Sequence, residues 1–322
     1  MKAVILAAGF GNRLKPITEN LPKPLVPVIN EKLITYPLMF LYKNGIRDIG
    51  INLYHLGDQI KTYLTKHFNS MFNFYFSEET ELLGTGGGIQ GFKNFIDDEN
   101  FIVINSDTLI DFNFLDCLHL HIKNNSIATM VLRKNPSSEG YGDFSVNKYG
   151  KIVHMLGNGK LFFRDPYMYT GVQILNRNVF DYLPEGKPSC IINDFYIPAF
   201  EEGEFISGYK YNGFWADIGT IDRYFDTSIF FLKKRYGNQI IVGPSTYVSE
   251  SSKIIPPVII AENCKIKKNC EIGPYVIIGE NCKIEKGSKI SESIIFENVI
   301  VAQKSNLKKV ILNKWNQIDV TR

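Results

Sequence analysis

Along the first half of the chain, short apolar runs alternate with amphipathic stretches, the spacing of a parallel sheet covered by helices on both faces. Lys2–Leu6 reads as a buried strand, Leu33–Asn44 as a helix ended by Gly45, and Asp48–Tyr54 as the next strand. Asp58–Phe68 is predicted helical, Phe72–Phe76 extended and Gly88–Phe95 helical. Phe101–Asn105 is rich in β-branched residues and is expected near the middle of the sheet. Beyond Ile127 strands and turns dominate, at Thr129–Arg133, Phe144–Asn147 and Gly171–Leu175, as in an insertion that covers a substrate. Thr220–Arg235 reads as a closing helix, and its cationic end, Lys233, Lys234 and Arg235, suits the helix dipole.

From Val242 the pattern changes. An aliphatic residue recurs at every sixth position: Val242, Val248, Ile254, Ile260, Ile266, Ile272, Ile278, Ile284 and Ile290. A second rail of small or β-branched residues runs beside it: Thr246, Ser252, Val258, Cys264, Cys270, Val276, Cys282 and Ser288. Stacked hexapeptide rungs that each bury one aliphatic side chain make a parallel β-helix. The repeat resembles the left-handed β-helix of hexapeptide-repeat proteins. After Phe296 the register moves one place earlier, through Ile295, Val301 and Leu307, and a cap is expected near Trp315. The chain therefore divides into residues 1–235, an α/β unit with a doubly wound, mainly parallel sheet, and residues 236–322, the β-helix.

At 322 residues a two-unit chain is also what length predicts. A net charge of +3 gives no reason to expect a nucleic-acid partner. No apolar stretch reaches the ~18 residues that a membrane span needs, and the N-terminus runs straight into a strand, so a cytoplasmic protein is expected. The cysteines, Cys117, Cys190, Cys264, Cys270 and Cys282, contain no C-x-x-C pair, which disfavours a disulfide framework or a zinc site. All five histidines precede the β-helix, which leaves it without the base that an acyltransferase centre would need.

The candidate chemistry begins directly after the first strand. In Leu6-Ala-Ala-Gly-Phe-Gly-Asn-Arg13, small residues let backbone N–H groups approach phosphate oxygens, and Arg13 adds a planar cation. The spacing is neither that of a P-loop nor that of a dinucleotide fingerprint. Lys23 follows between Pro22 and Pro24, whose rings stiffen the backbone on both sides and make the lysine a positioned point charge. Two aspartates lie farther on. Asp107 closes the strand from Phe101, at the end where α/β sheets place ligands, and Asp217 precedes the closing helix in Trp215-Ala-Asp-Ile-Gly-Thr220. Each also suits a cap or turn role.

The run Ala7-Ala-Gly-Phe-Gly-Asn-Arg-Leu-Lys-Pro-Ile-Thr18 with Pro22-Lys-Pro24 resembles the N-terminal signature of sugar-phosphate nucleotidylyltransferases. That family joins a nucleoside triphosphate to a sugar 1-phosphate and releases pyrophosphate. The resemblance implies that Arg13 and Lys23 contact the triphosphate and the departing pyrophosphate, that Asp107 and Asp217 bind Mg²⁺, and that the core is Rossmann-like. It implies a nucleotide pocket lined by Leu6, Ala7, Ala8, Gly9, Gly11, Gly84 and Thr85. It further implies a sugar side formed by Tyr141, Gly142, Thr170, Gly171 and Asp194, the last of which also suits an N-cap. Many relatives carry a Glu-Lys-Pro triplet that holds the sugar phosphate. Here that stretch is Leu156-Gly-Asn-Gly-Lys160, with Lys160 or Arg164 as substitutes at other spacings.

Glu79 stands about where thymidylyl and uridylyl enzymes carry glutamine, and a carboxylate could accept both N1–H and N2–H of guanine. This favours GTP with mannose 1-phosphate or a manno-heptose 1-phosphate. A UTP- or dTTP-using enzyme, for example of the N-acetylmuramate 1-phosphate type, is the alternative, since Gly84-Thr-Gly-Gly-Gly88 resembles those enzymes as well. A non-catalytic nucleotide-sugar-binding subunit is a third reading, disfavoured by the retention of all four charged residues. The apolar residues after Phe296 exceed what one narrow coil should need, and a homo-oligomer formed through the β-helix is expected.

Overall fold

A computed structural model describes residues 1–134, 142–159 and 167–320. By packing, the chain forms two units that do not follow a single cut. One takes in Met1–Phe10, Pro22–Pro24 and Leu33–Asp217, the other Gly11–Leu21, Leu25–Lys32 and Ile218–Arg322.

In chain order come strand β1 (Ala3–Leu6), a small hairpin of β2 (Pro27–Val28) and β3 (Glu31–Lys32), helix α1 (Thr35–Lys43), β4 (Asp48–Leu53) and α2 (Gly57–Phe68). Then follow β5 (Asn73–Glu78), α3 (Gly84–Gln90), β6 (Asn100–Asn105), β7 (Thr108–Ile110), α4 (Phe114–Lys123) and β8 (Ala128–Lys134). The first unit continues through β9 (Phe144–Val146), β10 (Ile152–Met155), β11 (Asn158–Gly159), β12 (Tyr167–Asn176), α5 (Ile197–Glu201), β13 (Ile206–Tyr211) and β14 (Trp215–Asp217).

Its main sheet runs β11-β10-β9-β12-β6-β1-β4-β5, with β8 paired to β12 and β13. The strands β5, β4, β1 and β6 are parallel. Leu6 pairs with both Asn52 and Asn105, and Leu53 with Glu78, so four loops leave the sheet along one edge. As expected, β6 is central, and Phe101, Val103, Phe92, Met130 and Phe195 are buried in one apolar cluster.

Two local expectations change. Helix α3 starts at Gly84, four residues before the predicted Gly88, because its glycines pack where no side chain fits: a Cβ on Gly86 would stand 2.2 Å from Ser189 Oγ. Helix α4 was not expected. Its buried stripe is only Phe114, Cys117 and His121, and exposed Leu115 and Ile122 blur the helical period.

The second unit opens its C-terminal part with α6 (Ile221–Tyr236), where Thr220 Oγ1 accepts the Arg223 N–H as an N-cap. The β-helix follows as three parallel-stranded faces. On one face Ile240–Val242, Val258–Ile260, Val276–Ile278, Ser293–Ile295 and Val310–Leu312 stack in order. Rail residues Ile260, Ile266, Ile272, Ile278 and Ile284 are fully buried. The register change falls earlier than predicted, between Ile290 and Ile295. There a coil loses one residue at Glu292, which takes a left-handed φ of 45°.

The small-residue rail has a reason beyond space, because its side chains donate to carbonyls of the next coil. Thr246 Oγ1 reaches Ala261 O at 2.7 Å, Ser252 Oγ reaches Lys267 O at 2.6 Å, and the thiols of Cys264, Cys270 and Cys282 reach Gly279, Glu285 and Phe296 O at 3.1, 3.2 and 2.9 Å. A further strand, Gln317–Asp319, lies antiparallel on Val310–Leu312 and covers that end. Val299, Val301, Leu307, Val310 and Ile311 are buried in this last coil, so most of the apolar surplus fills it, whereas Ile300 is 68% exposed.

His121 ties α4 to the sheet. Its ring nitrogens bond Thr129 Oγ1 and Asn100 Oδ1, each at 2.9 Å, and burial lowers its pKa from 6.5 to about 4. The unfolded chain then binds the proton more readily, so this contribution is complete above pH 6.5 and is lost as pH falls toward 4. Unfolding free energy should drop by up to about 3 kcal/mol across that window. Denaturant titrations should show a smaller acid slope in His121→Gln than in the wild type.

Candidate functional site

The four loops leaving the carboxyl edge of β1, β4, β5 and β6 carry the residues of interest, as in other α/β sheets that bind ligands. Asp107 follows β6. The short strand β7 then pairs antiparallel with β14, matching Thr108 with Asp217, and this ribbon brings the two aspartates together although they are 110 positions apart. Lys23, in a short turn between buried Pro22 and Pro24, reaches both. Its Nζ donates to Asp107 Oδ2 and lies 3.7 Å from Asp217 Oδ1. The three side chains are only 14%, 20% and 14% exposed. One ammonium and two carboxylates thus share a partly desolvated place, where their mutual attraction is stronger than in water.

The loop after β1 is tied by a relay. Buried Asn52, near the end of β4, accepts the Ala7 N–H through Oδ1 at 2.7 Å and donates through Nδ2 to Glu79 Oε1 at 2.7 Å. Glu79 Oε2 accepts the Leu83 N–H at 3.0 Å. Glu79 thus joins Asn52 of β4 to the backbone of Leu83, one donor on each carboxylate oxygen, and each oxygen keeps acceptor capacity for a further donor. Sequence reasoning missed Asn52. The signal was there: a lone amide among the apolar residues of Ile49-Gly-Ile-Asn-Leu53.

The remaining expected residues fall as follows. Leu6 ends β1, Ala7 and Ala8 are buried, and Gly9 is exposed with nothing within 4 Å of where a Cβ would be. Gly11 takes a left-handed φ of 66° and opens a turn over Asn12–Leu14, which leaves Arg13 exposed. Gly11 and Arg13 belong to the second packing unit. Gly84 and Thr85 are exposed at the start of α3, and Thr85 Oγ1 accepts the Ile191 N–H at 3.0 Å.

On the sugar side, Tyr141, Lys160 and Arg164 lie outside the described residues. Gly142 and Gly171 have left-handed φ angles of 92° and 84°. Thr170 is buried, its hydroxyl donates to Val131 O at 2.7 Å, and its carbonyl accepts the Trp215 Nε1–H at 2.8 Å and the Thr108 hydroxyl at 3.3 Å. Asp194 lies inside the helical turn Ile192–Tyr196 and its Oδ2 reaches back to accept the Cys190 N–H at 2.7 Å, so it is not the N-cap, a place that Ile191 takes.

Comparison with known proteins matches the nucleotidyl transferase family to residues 2–234 and the GMPPB C-terminal domain to residues 254–321. The chain belongs to the nucleotidyl transferase family. It is a sugar-1-phosphate nucleotidylyltransferase, an enzyme of nucleotide-sugar synthesis. It is 30% identical over 273 residues to the mannose-1-phosphate guanyltransferase of Yarrowia lipolytica, covering 80% of this chain and 72% of that one. It is 29% identical to the UTP–glucose-1-phosphate uridylyltransferase of a Synechocystis strain, covering 83% of this chain and 80% of that one. HddC from Yersinia pseudotuberculosis, solved also with GMP-PN, superposes with a TM-score of 0.60 at 26% identity, covering 71% of this chain and 99% of that one. Among the described residues no helix is long and apolar enough to cross a membrane.

Asp217→Asn removes one of the two carboxylates that face Lys23 and should reduce kcat by roughly a hundredfold, the size of effect that loss of a preorganised charge gives in an active site. Its unfolding midpoint should stay close to the wild-type value, because the Lys23–Asp107 pair persists. Steady-state pyrophosphate release and thermal unfolding, measured on one preparation, check both statements.

Proposed function

We propose that the protein transfers a guanylyl group from GTP to mannose 1-phosphate or a closely related manno-heptose 1-phosphate. The observation that carries the reading is the meeting of Asp107 and Asp217 on Lys23 at the carboxyl edge of the sheet. The names of several relatives, mannose-1-phosphate guanyltransferases at about 30% identity, favour guanine and mannose. In this reading an oxygen of the sugar phosphate attacks the α-phosphorus and forms the new P–O bond. The bond from the α-phosphorus to the α,β-bridging oxygen breaks, and pyrophosphate leaves with the added charge. Lys23 and Arg13 stabilise that charge more in the transition state than before it.

The residues present suit Mg²⁺. Asp107 and Asp217 offer hard carboxylate oxygens in a cluster with one net negative charge. No group of three or more metal-ligating side chains occurs among the described residues, so phosphate oxygens and water would complete the shell. Bound there, the ion would neutralise phosphate charge at the reacting centre. Leu6, Ala7, Ala8, Gly9, Gly11, Gly84 and Thr85 are assigned to the nucleotide side. Tyr141, Gly142, Thr170, Gly171 and Asp194 are assigned to the sugar side. Residues 1–235 would carry the catalytic apparatus, in a cytoplasmic enzyme.

The test is pyrophosphate release with four nucleoside triphosphates against a panel of sugar 1-phosphates. Release should require both substrates and Mg²⁺, with the highest kcat/KM for GTP. A preference for UTP or dTTP would replace the guanylyl reading with the one that the Synechocystis relative's name suggests.

The β-helix is further proposed to join copies of the chain. Its first coil has no coil below it, and Ile240, Val242 and Tyr247 are 43%, 43% and 55% exposed there. Light scattering at micromolar concentration should give a dimer or larger, and Val242→Glu should lower the mass. A monomeric wild type would end this part of the proposal.

A further inference from the structure

The segments flanking Lys23 in the chain, Gly11–Leu21 and Leu25–Lys32, pack in the same unit as the β-helix. The hairpin of β2 and β3 turns through Ile29 and Asn30, both left-handed at φ 48° and 65°. Asparagine tolerates this conformation, but a β-branched isoleucine does not adopt it without support from its surroundings. That support is present. Ile29 is buried, and Asn30 Nδ2 donates to Ile278 O of the β-helix at 3.1 Å.

Two residues on, Lys32 Nζ pairs with Glu297 Oε1 at 2.5 Å, with side chains 18% and 34% exposed. Tyr224 OH, on α6, donates to Pro27 O at 2.7 Å. The preceding segment has a longer bond of the same kind, from Asn316 Nδ2 to Pro16 O at 3.5 Å. Pro16 comes three residues after Arg13, and Pro27 four after Lys23. The backbone shortly after Arg13 is therefore anchored within the unit that contains α6 and the β-helix.

We infer that the β-helix is a positioning element for the nucleotide: Asn30, Lys32 and Glu297 fix the hairpin that packs in the same unit as the Arg13 turn and, with the Asn316 bond to Pro16, set how well Arg13 meets the triphosphate. This rests on the nucleotidylyltransferase reading above. Asn30, Lys32 and Glu297 touch no reacting atom and are positioning residues. A catalytic cation displaced by a fraction of its reach loses much of its effect on a bound phosphate.

The experiment uses the full chain with Lys32→Ala, Glu297→Ala, the reversed pair Lys32→Glu with Glu297→Lys, and Asn30→Gly, which keeps the left-handed turn but deletes the bond. Each single variant should raise KM for the nucleoside triphosphate roughly tenfold, leave KM for the sugar 1-phosphate unchanged, and speed hydrogen exchange of amides in Gly11–Leu21 and Leu25–Lys32. The reversed pair should return both readouts to within about twofold of the wild type. If the single variants lose thermal stability but keep the triphosphate KM and the wild-type exchange in these segments, the contacts are structural only and the inference fails. If the wild type releases no pyrophosphate with any substrate pair, the enzymatic reading fails instead. Exchange then decides the hairpin question alone, with unchanged exchange in the single variants overturning it.

Discussion

Lys23 stands between two aspartates that come from distant parts of the chain, and most of the first unit serves to bring them there. The parallel register of β1, β4 and β6 aligns the strand ends, the turn after β6 presents Asp107, and the β7–β14 ribbon folds Asp217 back beside it. Two carboxylates this close repel each other unless a cation lies between them. The ammonium supplies that cation. The same constraint explains the prolines: a lysine on a slack loop would pay more entropy to stay between the two acids.

The β-helix follows a different constraint, the length of its coil. Eighteen residues per turn keep aliphatic side chains in register, and each of the two shortened corners, at Glu292 and at Lys309, moves the later rail residues by one position. At the coil corners, Asn263, Asn269, Asn281 and Asn298 take left-handed φ angles of 56–60°, a conformation that asparagine reaches more readily than other side chains with a Cβ. The hydroxyls and thiols next to several of these corners donate to the coil above and satisfy carbonyls that no strand pairs. Burial and bonding of this kind leave Cys264, Cys270 and Cys282 as structural residues.

What was legible in the sequence follows from how local each signal is. Strands β1, β4 and β6 and the six-residue repeat are written in nearest-neighbour patterns, so they could be read directly. The four charged residues could be named from motifs, but the ribbon that joins Asp107 to Asp217 could not, because β7 and β14 have three residues each and carry no periodicity. Asn52 was missed for a related reason. Its meaning lies in the Ala7 N–H and the Glu79 carboxylate on neighbouring strands, which no window along the chain contains. The same long-range contacts fix the position of the Glu79 carboxylate, which Asn52 and the Leu83 N–H hold from two sides.

The two glycine runs are similar in composition and differ in what surrounds them. In the second, the place of a Cβ on Gly86 is taken by Ser189 and that on Gly88 by Asn52, so glycine there lets protein approach protein. In the first, Gly9 has open space where its side chain would be, directly after the backbone that Asn52 fixes through Ala7. A fixed backbone beside an open volume is what a phosphate needs if N–H groups are to reach it without first being ordered. A glycine count cannot distinguish these two uses. The atoms nearest each absent side chain can: open space at Gly9, and neighbouring protein at Gly86 and Gly88.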